Sequence, residues 1–309
     1  MRGAFVRTLM DLAEEDSRII LLTADLGYML MEPFMERFPS RFINVGVAEQ
    51  NMVGLATGLA ESGFVPFVYS IAPFAVLRPY EFIRNGPILH HLPARIVGVG
   101  GGFEYGNAGV THHALEDIGV MRTQPGITVI APADHQQTAS ALLATWNLPG
   151  PIYYRLGKDD KTIVPGLNGE FALGHAQLIR KGSDLLMVSI GSVTSEVAEA
   201  AEMLAARGIQ CSVLVVASLN PAPEDDLARY LAEFPVAMTV ESHYLAGGLG
   251  SLVSEVVAER HLGCRVVRCG VRNMPNDVFG SQDYLHHING LSSEALVETA
   301  AKVLSGKKA

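Results

Sequence analysis

The chain has 309 residues, enough for about two domains of ordinary size. Its 49% of hydrophobic against 18% of charged residues suits a well-packed globular protein with apolar surface left for a subunit interface. A net charge of −9 excludes the basic footprint of a nucleic-acid or anionic-membrane binder, although a few local arginines suffice to hold a phosphate.

The first element is a helix, since Phe5, Leu9 and Leu12 fall on one helical face and acids arrive by Asp11, which also rules out a signal peptide. Strands are then predicted at Arg18–Thr23, Phe42–Val45, Val65–Tyr69, Arg95–Val99, Thr128–Ile130 and Pro151–Tyr154. Between them the pattern predicts a short helix after the turn Ala24–Gly27, then helices Ala48–Glu61, Val76–His90 and Asp134–Trp146. Gly157–Gly174 is polar and rich in Gly, Asp and Lys, and residues 161–171 are read as an interdomain linker. Beyond it, strands at Leu185–Ile190, Cys211–Val216, Ala237–Val240 and Cys264–Arg268 alternate with helices at Thr194–Arg207, Asp225–Glu233, Gly250–Glu259 and Glu294–Leu304. This alternation predicts two three-layer α/β domains with parallel sheets, at 1–160 and 172–309. Cys211, Cys264 and Cys269 follow no metal or disulfide spacing, and no apolar run reaches the ~20 residues of a membrane span. A soluble cytoplasmic protein is expected.

In parallel sheets, function gathers where strands end and helices begin. In Phe42–Gly63 a strand stops, Gly46 permits a turn, and Glu49 falls in the first helical turn, with Gly54, Ala56 and Gly58 allowing close helix packing. Spacing alone gives Glu49 the plain role of complementing the helix dipole. The glycine-rich loop Gly98–Gly109 lets backbone approach a ligand but lacks the spaced dinucleotide fingerprint. The pairs His90–His91, His112–His113 and His286–His287 have no partner spacing for a metal, and no metal ligand is assigned to this chain.

Several segments together are more specific than any one. TADLG, GVAEQNMVGLATGLA, THHALEDIGVMRTQPGITVIAPAD and GPIYYRLGK resemble, in order, the pyrimidine-binding domain of the transketolase and deoxyxylulose phosphate synthase family. TVESHYLAGGLGS and the Ser189–Gly191 turn resemble that family's carboxy-terminal domain. The resemblance implies that Glu49 hydrogen-bonds the 1′ nitrogen of thiamine diphosphate, sharing a proton with it in acid–base work. It implies that Asp25 lines the cofactor pocket, though an Asx-turn or helix cap explains an aspartate there equally well. Phe74 matches an aromatic packed on the cofactor ring, or is plain core, and Ile71 stands where another aromatic is expected. His112 corresponds to a histidine facing substrate, and Arg155 to an arginine that holds the sugar phosphate, with a surface ion pair as its alternative. Ala108 and Gly100 depart from the pattern, since relatives carry Asp and His there, which puts the ordinary sugar-phosphate substrates in doubt.

The G-D-G segment whose neighbourhood holds Mg²⁺ and the cofactor diphosphate is absent from the sequence. The resemblance therefore implies a partner chain supplying that site, in a heterotetramer of two copies of each chain. The implied activity is transfer of a two-carbon ketol unit from a ketose, phosphorylated or not, to an aldose. Alternatives are a 2-oxoacid dehydrogenase beta subunit, a decarboxylating condensation of the deoxyxylulose phosphate type, or a non-catalytic regulatory subunit. Glu241, His243 and Gly247–Gly250 also fall at a strand end, where a structural role is expected.

Overall fold

The computed structural model describes residues 1–274 and 278–306, so the expected end of the second domain at 309 lies outside the described residues. Its strands are β1 Ile19–Thr23, β2 Phe42–Asn44, β3 Val65–Ile71, β4 Arg95–Val99, β5 Thr128–Ile130, β6 Ile152–Leu156, β7 Ala176–Arg180, β8 Leu185–Ser189, β9 Cys211–Val216, β10 Ser218–Asn220, β11 Val236–Tyr244 and β12 Arg265–Val271. They form a seven-stranded sheet in the order β10-β5-β6-β4-β3-β1-β2 and a five-stranded sheet in the order β12-β11-β8-β9-β7. All pairs are parallel except the edge strands β10, on β5, and β7, on β9. Helices cover both faces, so β1, β3, β4 and β6 are buried along their whole length and read as unbroken apolar runs.

The amino-terminal helix, Arg2–Glu15, buries Phe5, Leu9 and Leu12 as its periodicity requires and packs along the helix His135–Thr145. That second helix starts where the Asp134 side chain accepts from the Gln137 N–H. The single helix expected over Val76–His90 is instead broken into Ala72–Val76, Tyr80–Ile83 and a π-turn at Arg84–Ile88. Pro79 and Pro87 lie at these interruptions, and each removes a backbone donor from the ladder. In Glu49–Glu61, Ala56 is buried but Gly54 and Gly58 face outward, so their small size leaves an open face rather than a packed one.

The sheets are joined more closely than a linker implies. β10, which follows β9 in the chain, leaves the second half and pairs along β5 of the first sheet. One hydrophobic core runs through both halves, from Leu22, Val68 and Ile96 to Leu186, Val188 and Leu214. No helix of the described residues is long and apolar enough to cross a membrane.

Candidate active site

Because β1, β2, β3, β4 and β6 run parallel, their carboxy-terminal ends share one edge of the sheet. Glu49 follows β2, Phe74 follows β3, and the loop from Gly100 to His112 follows β4.

Glu49 opens its helix and is 2% exposed. Its Oε1 accepts from Ser70 Oγ at 3.0 Å, and Arg78 Nη1 donates to Oε1 and Oε2 at 2.9 and 2.8 Å. The Arg78 guanidinium also lies over the Phe74 ring, 3.8 Å from its centroid. The half-buried His112 meets Phe74 edge-on, with centroids 5.0 Å apart, and its Nδ1 hydrogen-bonds Thr111 Oγ1 at 3.0 Å. A further ring, Tyr105, stands 6.5 Å from His112, and Lys158 Nζ sits 4.3 Å over its centroid. The structure thus brings Glu49, Phe74 and His112 into one line of contacts, with Ser70, Arg78, Tyr105 and Lys158 added. Sequence patterning did not single out Arg78. Its signal is only a basic residue in the break before Pro79.

Ile71 ends β3, 7% exposed, beside Phe74 in sequence. Asp25 is exposed, in the left-handed region at φ 57°. Its N–H donates to Asn44 Oδ1 at 3.0 Å, and Asn44 Nδ2 donates to Asp25 Oδ1 at 3.1 Å. It lines a separate open cavity of about 380 Å³ with Thr23, Tyr28, Met31 and Phe42, bracketing the ends of β1 and β2. The structure therefore places it on the neighbouring loop, bonded to Asn44 rather than to Glu49.

Arg155 corrects the sequence expectation. It lies within β6, not after it, and its side chain is 4% exposed. Nε donates to Asp117 Oδ2 at 2.8 Å, and Nη2 donates to the carbonyls of Ala114 and Ser242 at 2.8 and 2.9 Å. Tyr153 Oη donates to the same Asp117 oxygen at 2.6 Å. In the chain by itself this guanidinium ties the two halves together. The glycine loop is shaped by the same packing. A Cβ on Gly101 would stand 2.7 Å from Arg155 Cζ. A Cβ on Gly100, at φ +80°, would stand 2.2 Å from the Tyr105 ring. Close approach is indeed what these glycines provide, but to the chain's own side chains.

Glu241 and His243 also belong to the joint between halves. Glu241 is fully buried and accepts from the Leu249 and Gly250 N–H groups, at 2.7 and 2.9 Å, at the head of the helix Leu249–Glu259. Burial pushes its carboxyl up to about 7, against the pull of those two N–H groups. Burial lowers His243, so its 3.8 Å approach to Glu241 joins a neutral ring to the carboxyl. His243 Nδ1 bonds the Tyr244 carbonyl at 2.7 Å, which fixes the tautomer whose Nε2 accepts from the Gly119 N–H at 3.1 Å.

Comparison with known proteins gives this arrangement a family. Residues 1–161 match the transketolase pyrimidine binding domain and residues 174–295 the transketolase C-terminal domain. The chain belongs to the transketolase family. It is 35% identical over 304 residues to a putative transketolase C-terminal section of Methanocaldococcus jannaschii, covering 96% of this chain and 94% of that one. It is 34% identical over 304 residues to an apulose-4-phosphate transketolase subunit of Phocaeicola vulgatus, covering 97% and 96%. To the 6-deoxy-6-sulfo-D-fructose transketolase subunit SqwH of a Clostridium species it is 35% identical over 310 residues, covering 99% and 95%. Among solved structures, a split gene transketolase described as an inactive beta4 tetramer superposes with a TM-score of 0.87 at 34% identity, covering 99% of this chain and 98% of that one. Against the longer transketolase of Pichia stipitis, this chain covers 46% of the length with a TM-score of 0.80 at 21% identity, a likeness of fold.

Proposed function

We propose that this chain is the pyrimidine-binding half of a split, thiamine-diphosphate-dependent transketolase. With a partner chain that grips the cofactor diphosphate through Mg²⁺, it transfers a two-carbon ketol unit from a ketose to an aldose. The observation that carries this reading is the Glu49 carboxyl, buried at a helix head on the same sheet edge as the Phe74 ring and His112. These residues fit the pyrimidine half of the cofactor: a carboxyl to share a proton with a ring nitrogen, and an aromatic face for the ring. When bound, that cofactor supplies a nucleophilic carbon and an electron sink. His112, with Nδ1 on Thr111, has Nε2 left to bond a substrate carbonyl or hydroxyl. The short relatives named as transketolase subunits support a two-chain enzyme, which we place as two copies of each chain.

Relatives named for apulose 4-phosphate and for 6-deoxy-6-sulfo-D-fructose support a donor with an anionic end. With Arg155 sequestered, Lys158 beside Tyr105 is the cation we place near that end. A second reading, decarboxylating condensation, is favoured by a 34% identity over 302 residues to the 1-deoxy-D-xylulose-5-phosphate synthase of Desulforudis audaxviator, of which this chain spans 47%. Carbon dioxide release from pyruvate separates the two. The first experiment is calorimetric titration of thiamine diphosphate and Mg²⁺ into the chain alone and mixed with its partner. Tight binding only in the mixture supports the shared site. Tight binding to the single chain overturns it.

A further inference from the structure

Glu49 has to reach a ligand for the function above, yet it is 2% exposed in the chain by itself. Ser70 covers it from the core side. Its other cover is Arg78, whose side chain is 42% exposed. The guanidinium does two things at once. It hydrogen-bonds both Glu49 oxygens at 2.9 and 2.8 Å, and it lays its plane on Phe74 at 3.8 Å. A flat heteroaromatic ring that bonds the same carboxyl and stacks on the same aromatic face needs the same space.

The two covers differ in how they are held. Ser70 lies in β3, between parallel neighbours. Arg78 lies in the break between the helices Ala72–Val76 and Tyr80–Ile83, and among the described residues its only hydrogen bonds are those to Glu49. Its side chain is therefore the part free to swing into solvent. We propose that Arg78 is an internal stand-in for the cofactor's aminopyrimidine, pairing Glu49 and covering Phe74 while the site is empty, and leaving when the ring enters. This rests on the assignment of Glu49 and Phe74 made above.

The physical case is that a buried carboxylate without a partner costs several kcal/mol, so a chain made separately from its cofactor needs a cation there. Arginine suits the task better than lysine, because its planar fork both donates to the carboxylate and stacks on the ring. Such a stand-in competes with the cofactor, and apparent affinity falls by the fraction of molecules in which it is in place.

The test is calorimetric titration of thiamine diphosphate with Mg²⁺ into the two-chain complex carrying Arg78→Ala, Arg78→Lys or neither change, with the melting temperature of the chain alone measured in parallel. Arg78→Ala should tighten cofactor binding by about 10-fold or more while lowering the melting temperature of the cofactor-free chain. Arg78→Lys keeps the charge but not the plane and should fall between, which guards against a misfolded alanine variant. Affinity unchanged or weakened in both variants would overturn the proposal, since Arg78 would then be a bystander or part of the occupied site. No binding by the unaltered complex is a different result: it removes the functional assignment itself, and the proposal with it.

Discussion

Arg155→Ala tests whether this arginine is a clamp or a substrate-holding group. The substitution removes the partner of Asp117, whose side chain is 1% exposed and whose Oδ2 would keep only the Tyr153 hydroxyl. Breaking a buried ion pair from one side costs about 3–5 kcal/mol, because the remaining charge is left uncompensated. The Ala114 and Ser242 carbonyls lose their guanidinium donor as well, so the upper part of that range is expected. This is a large share of the roughly 5–15 kcal/mol that holds most domains together. Urea unfolding of the chain measures it directly. Removing both charges with Asp117→Asn and Arg155→Met should cost less than the sum of the single changes, as expected for groups in direct contact. A loss below about 1 kcal/mol, together with a raised KM for phosphorylated ketoses only, would refute the clamp and restore the phosphate role.

Three further outcomes follow from the site and its surroundings. Glu49→Gln keeps the shape but not the shared proton, so kcat of the two-chain enzyme should fall at least ~100-fold, and near-normal turnover would remove Glu49 from the chemistry. Gly100→Ala should lower stability by about 1–3 kcal/mol, since its Cβ meets the Tyr105 ring at a positive φ, and adding Tyr105→Ala should recover the steric part in thermal melts. Glu241 is raised from an ordinary 4.5 to about 7, so it favours folding below its unfolded value and loses that contribution as pH rises toward 7. His243 is lowered from 6.5 and works oppositely, losing its contribution as pH falls below that value. Between about pH 5 and 7, Glu241→Gln should therefore gain stability relative to the unaltered chain by about 1 kcal/mol per pH unit, and parallel pH profiles would contradict this.

The alternation of apolar runs and helical patterns made most strands legible, because parallel strands buried on both faces show as continuous β-branched stretches. β4, β5 and β9 lie where the sequence predicts them. The short edge strands β7 and β10 did not stand out, since three to five residues at a sheet margin carry little periodicity. Glu49, Phe74 and His112 were singled out through the resemblance rather than through spacing, and the structure sets them in one line of contacts near the strand ends. Arg155 shows the limit. One residue of strand length decides whether a side chain faces a ligand or the interior, and boundaries are the least certain part of any pattern. Asp117, its partner 38 positions away, lies in a resembling segment, but nothing local pairs it with Arg155.

The excursion of Ser218–Asn220 into the first sheet also bears on how the chain comes apart. The family boundary between residues 161 and 174 is a seam in the sequence but not in the mechanics. A protease that nicks there leaves the fragments stitched together through β10 and β5. A pull on the two ends must unzip that short antiparallel pair before either half is free.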